Sequence, residues 1–218
     1  MLKFNLTPIE KIFTTKERAY KEIKNVILNG GISPNEIFTE VKLAEVLNTS
    51  RTPVREALQD LIREGLILTV PRKGMKVRNV SKSEIEQIFL IRTSIESEVI
   101  IKLTKFITPK QIDELKEICL EQEEAMNQND EVAFLNFDQS FHIAITKFVD
   151  YKLIEQVLHN LHNLYHLIGM RSVKKNNRMN EVLSEHRNII HHLEMKNEEL
   201  AAAAMRDHLI RTKESLNN

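Results

Sequence analysis

Chain breakers and cysteine are scarce in this sequence, and the scarcity is uneven. The 218 residues include one cysteine, five glycines and five prolines. A single cysteine excludes an internal disulfide framework and fits a reducing cytosol. Cys119 itself reads as a small hydrophobe filling a helix face. No apolar run approaches the ~20 residues of a membrane span. Met1 to Phe13 alternates charged and apolar residues, without the unbroken apolar stretch and small-residue cleavage site of a secretory signal. The expected setting is therefore cytoplasmic, with no membrane. Net charge is also lacking, at a formal value of zero. That zero conceals a division. Residues 1–80 carry 14 Lys/Arg against 9 Asp/Glu, and residues 81–218 carry 17 against 22. A basic first part and an acidic second part suggest different partners for each.

Glycine and proline place the boundary. Gly30, Gly31, Gly65, Gly74, Pro8, Pro34, Pro53 and Pro71 all precede residue 81, and only Pro109 and Gly169 follow it. So long a segment with so few breakers is helical throughout. The expected domains are 1–80 and 81–218. In the first, helices are expected at about Thr15–Asn29, Glu40–Leu47 and Ser50–Glu64. The first stops at Gly30-Gly31 and the third at Gly65. Leu66–Val70 and Met75–Val80 read as two short strands around Pro71-Arg72-Lys73-Gly74. Three helices with a two-stranded wing make a winged helix-turn-helix. In the second domain, six helices are expected at about Ser83–Phe106, Pro109–Gln128, Asp130–Phe148, Tyr151–Gly169, Asn180–Met195 and Asn197–Leu216. Ser81 with Glu84 fits a capping box, and Thr108-Pro109 fits an N-cap with proline at the first helical position. Short connections imply an antiparallel bundle. The fold class is mainly α.

The chemistry of the first domain lies in Leu43 to Leu58. Asn48 occupies a turn where a left-handed backbone is needed, and Asn tolerates it. Ser50 suits an N-cap. Pro53 falls in the first turn, where a missing N–H costs nothing. Val54, Leu58 and Leu61 recur at helical spacing and face the core. Arg51, Thr52 and Arg55 remain on the exposed face near the helix start, the end that enters the major groove in such proteins. Arg reads guanine bidentately, and free N–H groups at a helix start suit phosphate. Arg72, Lys73 and Gly74 form a charged, flexible wing tip. The alternative for each isolated Arg is a solvated surface charge.

Residues 15–78 resemble the DNA-binding domain of the GntR family. The resemblance rests on Ser50-Arg51-Thr52-Pro53-Val54-Arg55-Glu56-Ala57-Leu58, then Leu61, Glu64-Gly65-Leu66-Ile67 and a wing ending in Gly74. It implies that Ser50, Arg51, Thr52, Arg55 and Gly74 contact double-stranded DNA. The sequence departs from the family at Asn35, Asn48 and Val41, where Gly, Gly and a basic residue are usual.

In the second domain, polar residues sit on apolar faces, where leaving them unpaired is expensive. Arg92 lies within the stripe Ile85, Ile88, Ile95 and Val99. It can pair with Glu96 one turn on or grip a ligand carboxylate. Asp138 and His142 lie one turn apart beside Phe134, Phe141, Ile145 and Phe148, as a hydrogen-bonded pair or as half of a metal site. His186 lies on the apolar side of its helix with Leu183, Ile190 and Leu193, and His208 follows Ala204 by one turn. His159, His162 and His166 share a face, either lining the same cavity or simply polar. His191 and His192 read as exposed.

This half resembles the ligand-binding (FCD) domain of the FadR-type branch of the same family, in its metal-carrying subset. The matching residues are Asp138-x-x-x-His142, Glu185-His186 and His208, with Arg92 where the family meets its effector. The resemblance implies one divalent transition metal ion per chain held by Asp138, His142, His186 and His208. Three nitrogens and one oxygen favour Zn or Ni over Mg or Ca. One cation and one guanidinium near a shared cavity suggest a small carboxylate effector held by Arg92, and helix-turn-helix readers of paired half-sites suggest a homodimer. The expected function is effector-controlled, sequence-specific transcription regulation without catalysis. Two other readings stand beside it: a purely structural metal, and a metalloenzyme with a DNA-binding appendage.

Overall fold

The computed structural model describes residues 13–217 except 174 and 176. The first twelve residues of the expected 1–80 domain thus lie outside the described residues. Two compact units separate at Val77/Arg78, with Leu28–Gly31 grouped with the second.

The first unit orders α1 (Thr15–Leu28), β1 (Ile37–Phe38), α2 (Glu40–Val46), α3 (Arg51–Arg63), β2 (Ile67–Val70) and β3 (Gly74–Val77). Asn48 is left-handed at φ 48°, and Gly65 ends α3 at φ 76°. Val54, Ala57, Leu58 and Leu61 are buried, so the face of α3 carrying Arg51, Thr52 and Arg55 is the solvent face. Ser50 is the N-cap of α3 by position and backbone, but its side chain makes no capping hydrogen bond. The sheet has three strands, where the sequence showed only a wing of two. β3 is central, with antiparallel partners β1 (Ile37 opposite Lys76) and β2 (Val70 opposite Gly74). That close packing fixes Gly74. Its φ is +129°, and a Cβ there would lie 2.4 Å from the Phe38 carbonyl oxygen.

The second unit orders α4 (Lys82–Thr104), α5 (Pro109–Asn127), α6 (Glu131–Phe148), α7 (Lys152–Val173), α8 (Arg178–Glu194) and α9 (Glu198–Asn217). Both expected caps are present. Ser81 with Glu84, and Thr108 with Gln111, form reciprocal capping boxes. The backbone N–H and hydroxyl of Ser81, with Arg78, hold the Glu84 carboxyl down at about 2. α9 packs against α4 and α8, α5 against α6 and α8, and α6 against α7. Ala201, Ala202 and Ala204 are buried and keep α9 close to its neighbours. α7 continues past Gly169 to Val173, beyond the expected end. Gly169 is a packing residue, not a stop. A Cβ there would meet Leu135 of α6 at 3.0 Å. No helix among the described residues is long and apolar enough to cross a membrane.

Candidate metal centre and nucleic-acid interface

Asp138, His142, His186 and His208 converge. Each offers a ligand atom within 4.8 Å of the others, and all four side chains are buried. α6 supplies two of them one turn apart, while α8 and α9 supply one each. A packed neighbour orients each imidazole. Gln122 of α5 donates from Nε2 to the Phe134 carbonyl at 3.4 Å, so its Oε1 is turned to accept from His186 Nδ1 at 2.9 Å. His208 Nδ1 donates to Glu185 Oε2 at 2.8 Å. Glu185 is itself clamped by Arg178 at 2.9 and 3.0 Å. Glu96 Oε2 of α4 lies 2.5 Å from His142 Nδ1, a close approach without hydrogen-bond geometry. Phe141 stacks on the His186 ring at 4.0 Å between centroids.

The partners of His186 Nδ1 and His208 Nδ1 place those two ring protons there, which turns their Nε2 lone pairs towards the other ligands. His142 Nε2 and His208 Nε2 are 3.2 Å apart. His186 Nε2 has no hydrogen-bond partner among the described residues and lies 3.5 Å from Asp138 Oδ1. The convergent imidazole nitrogens and the carboxylate are donors to which a cation between them would bind. The donor set therefore fits a divalent transition ion of the N,O type.

Electrostatics agree with the geometry. Burial, then the Arg92 charge, then His208 hold His142 far below the usual histidine range. Burial, then His208 and His142, do the same to His186. Burial raises Asp138, partly offset by His208 and Arg92. His162 is pushed down by burial and then by Arg92. A histidine depressed only in the folded state stabilises the protein fully above the unfolded pKa near 6.5. That stability is lost as pH falls, because the unfolded chain then binds protons the folded chain refuses. Each such group contributes up to about 1.4 kcal/mol per pH unit, so three give up to about 4. Asp138 acts oppositely, from its raised folded value down to 3.8, and offsets part of that loss. Chelator-treated protein is thus expected to lose stability between about pH 7 and 5.5, three histidines outweighing one carboxyl. Urea midpoints at the two pH values check this, and a flat profile would mean the three imidazoles titrate normally.

Arg92 takes up the first of the two roles open to it in the sequence, pairing with Glu96 one turn on. It is buried, donates from Nε to Glu96 Oε1 at 2.8 Å, and faces inward between Phe89 and Tyr165. Burial opposes its charge, but Glu96 and Asp138 more than compensate and raise its pKa. Its Nη2 has no hydrogen-bond partner among the described residues. His162 and His166 are buried, whereas His159 and His191 are exposed and His192 is half-exposed. Cys119 is buried, and burial pushes its thiol up to about 12.

In the first unit, Ser50, Arg51, Thr52 and Arg55 are exposed at the start of α3. Arg72 and Lys73 are exposed in the β2–β3 turn, and Gly74 follows them. A groove of about 590 Å³ separates α3 from the wing, lined by Arg55, Arg72, Lys73 and Gly74. Arg55 is not a free solvated charge. Its Nε and Nη2 donate to Glu40 at 2.8 and 2.6 Å, so Glu40 fixes the plane of the guanidinium. Sequence reading passed over Glu40 and Gln122. Gln122 had a signal: it falls on the buried stripe Leu115, Cys119, Ala125 of α5, a costly place for an unpaired amide.

Residues 15–77 match the family described as bacterial regulatory proteins, gntR family, and residues 87–211 match the FCD domain. The transcriptional repressor RspR of Escherichia coli is 26% identical over 200 residues, 92% of this chain and 88% of its own. The uncharacterized regulator YdhC of Bacillus subtilis is 26% identical over 183 residues, 84% and 82%. The solved structure of E. coli McbR/YncC superposes with TM-score 0.80 at 20% identity, covering 94% of this chain and 98% of that one.

Proposed function

The chain belongs to the gntR family of bacterial regulatory proteins and is a DNA-binding transcriptional regulator with an FCD domain, and from that premise we propose that its operator affinity is set by a small carboxylate effector bound at a metal site. The observation supporting this most strongly is the buried convergence of Asp138, His142, His186 and His208. These residues would hold one divalent transition ion per chain, Zn or Ni. The ion would supply Lewis-acidic positions for a carboxylate. Arg92 supplies the complementary charge, because its Nη2 is the unsatisfied donor of a guanidinium already anchored by Glu96. Gln122 and Glu185 hold the His186 and His208 imidazoles in the tautomer that binds metal. An ion of coordination number six would keep positions for the effector beyond these four ligands, whereas one that takes only four would be purely structural.

The DNA side is proposed residue by residue. Arg51, Thr52 and Arg55 read base edges in the major groove, Ser50 and the free N–H groups of α3 meet phosphate, and Arg72, Lys73 and Gly74 meet the backbone or minor groove. We take the working form to be a cytoplasmic homodimer, since paired half-sites need paired readers. An effector changes DNA affinity only by favouring one dimer geometry over another.

Elemental analysis of tag-free protein, then operator binding with and without saturating acid, tests the whole. About one transition metal per chain and a several-fold change in operator affinity are expected. Metal with no affinity change at any acid or salt concentration would leave the ion structural. No metal after incubation with Zn or Ni would remove the site.

A further inference from the structure

Arg178, the first residue of α8, is 4% exposed, and none of its hydrogen bonds goes to a candidate ligand. Its Nη1 and Nη2 donate to the two carboxylate oxygens of Glu185 at 2.9 and 3.0 Å. Nη1 also donates to Glu181 Oε2 at 3.1 Å, and Nη2 to Thr212 Oγ1 of α9 at 2.9 Å. Thr212 in turn donates to the His208 carbonyl at 2.8 Å. The guanidinium therefore reaches α9 by two routes. One is Thr212, a turn after His208. The other is Glu185, which accepts from His208 Nδ1 at 2.8 Å.

Glu185 stands one residue before His186 on α8 and crosses to α9 to meet His208. A glutamate side chain has several rotatable bonds, and holding it in one geometry has an entropic cost. One hydrogen bond to an imidazole does not define that geometry. A guanidinium fork sets the plane and the position of a carboxylate together. Arg211 is no substitute. Its side chain is 64% exposed, and its Nη1 lies 3.8 Å from Glu185 Oε1, a pair screened by solvent. The His186 ring is oriented on the same plan. Gln122 is anchored on the Phe134 carbonyl before it meets His186 Nδ1. Where Gln122 uses the backbone, Glu185 uses Arg178. A ligand ring held in advance leaves less freedom to be lost when a cation arrives.

We propose that Arg178 is a positioning residue of the metal site: by holding the Glu185 carboxylate it sets the His208 ring, so the affinity of the site depends on a side chain that is not one of its ligands. This rests on the metal reading above and deepens it.

The test titrates full-length, chelator-treated protein with Zn against a competing indicator. Arg178→Met is expected to weaken Zn binding about tenfold. Glu185→Leu should weaken it at least as much, since it removes the group through which Arg178 acts. In the double variant the losses should not multiply. Its affinity should stay within about twofold of Glu185→Leu alone. Saturated with Co(II), Arg178→Met and Glu185→Leu should both show visible absorption displaced from that of the wild type, because both release the same ring. Should Glu185→Leu not fold, His208→Ala takes its place in the cycle, and adding Arg178→Met to it should again cost no more than about twofold. Should Arg178→Met not fold, Arg178→Gln replaces it. Losses that multiply overturn the proposal, because Arg178 then acts by a route other than Glu185 and His208. Zn affinity and Co(II) absorption unchanged in Arg178→Met, with lower melting in stripped and loaded protein alike, overturn it too and make Arg178 a structural residue of α8. If the wild type takes up neither Zn nor Co, the metal reading itself falls, and this inference with it.

Discussion

Asp138→Ala is expected to leave the purified protein without bound metal, and with it to abolish stabilisation by added Zn or Ni. Asp138 is the carboxylate of a set whose other three ligands are imidazoles, two of them, His142 and His186, held neutral by burial. Without it, charge neutralisation and one coordination position disappear together. Ligand at a thousandfold excess over its Kd stabilises the wild type by about 4 kcal/mol, and that increment should vanish. The metal-free proteins should behave differently. Asp138 is buried with a raised pKa, at a cost chiefly of burial. Removing such a carboxylate from chelator-treated protein should be close to neutral. Thermal melts of both proteins, loaded and stripped, separate the cases. Equal destabilisation with and without metal would make Asp138 a structural residue. Gln122→Leu and Glu185→Gln should act more weakly, since they release an imidazole rather than remove a ligand. A loss of about 10- to 100-fold in metal affinity is expected for each.

How much of this could be read before the fold was known depends on the range of the interaction. The reading helix was legible because its signal is local. Ser50 to Leu58 carries its own start, its own buried face and its own exposed arginines. The four candidate ligands were visible as polar residues on apolar faces, with two of them one turn apart. What orients them was mostly hidden. Gln122 reaches His186 across 64 positions of sequence, and no periodicity announces that partnership. Glu96 was seen only as a helical neighbour of Arg92, although it also faces His142 on another helix. β1 escaped for the same reason. Two residues carry no alternation, and Ile37–Phe38 is a strand only because β3 comes beside it. Gly169 misled in the opposite direction. A lone glycine near a plausible helix end reads as a stop, whereas here it admits the Leu135 side chain.

Arg51→Ala and Arg55→Ala should each lower the preference for operator over non-specific DNA by about 5- to 150-fold, the equivalent of about 1–3 kcal/mol for a bidentate guanine contact. The two arginines reach that result from different starting points. Arg51 stands at the first position of α3 and makes no ion pair or hydrogen bond with another described residue. It must be ordered on binding. Arg55 is already held by Glu40 through two hydrogen bonds. Its guanidinium plane is set in advance, and less side-chain freedom remains to be lost. Arg55→Lys should therefore fail almost as badly as Arg55→Ala, because an ammonium cannot use the fork that Glu40 orients. Glu40→Gln removes a negative charge from the groove between α3 and the wing. It should strengthen non-specific binding slightly while weakening discrimination. An operator selected from a random pool, titrated over a range of salt against unrelated duplex, gives both quantities at once. A pure phosphate contact has a different signature: affinity falls equally on both DNAs, and the salt slope drops by about one. That signature is expected for Arg72→Ala and Lys73→Ala at the wing tip. If Arg51→Ala and Arg55→Ala show it too, with the operator preference intact, then α3 positions the protein on DNA and the sequence is read elsewhere.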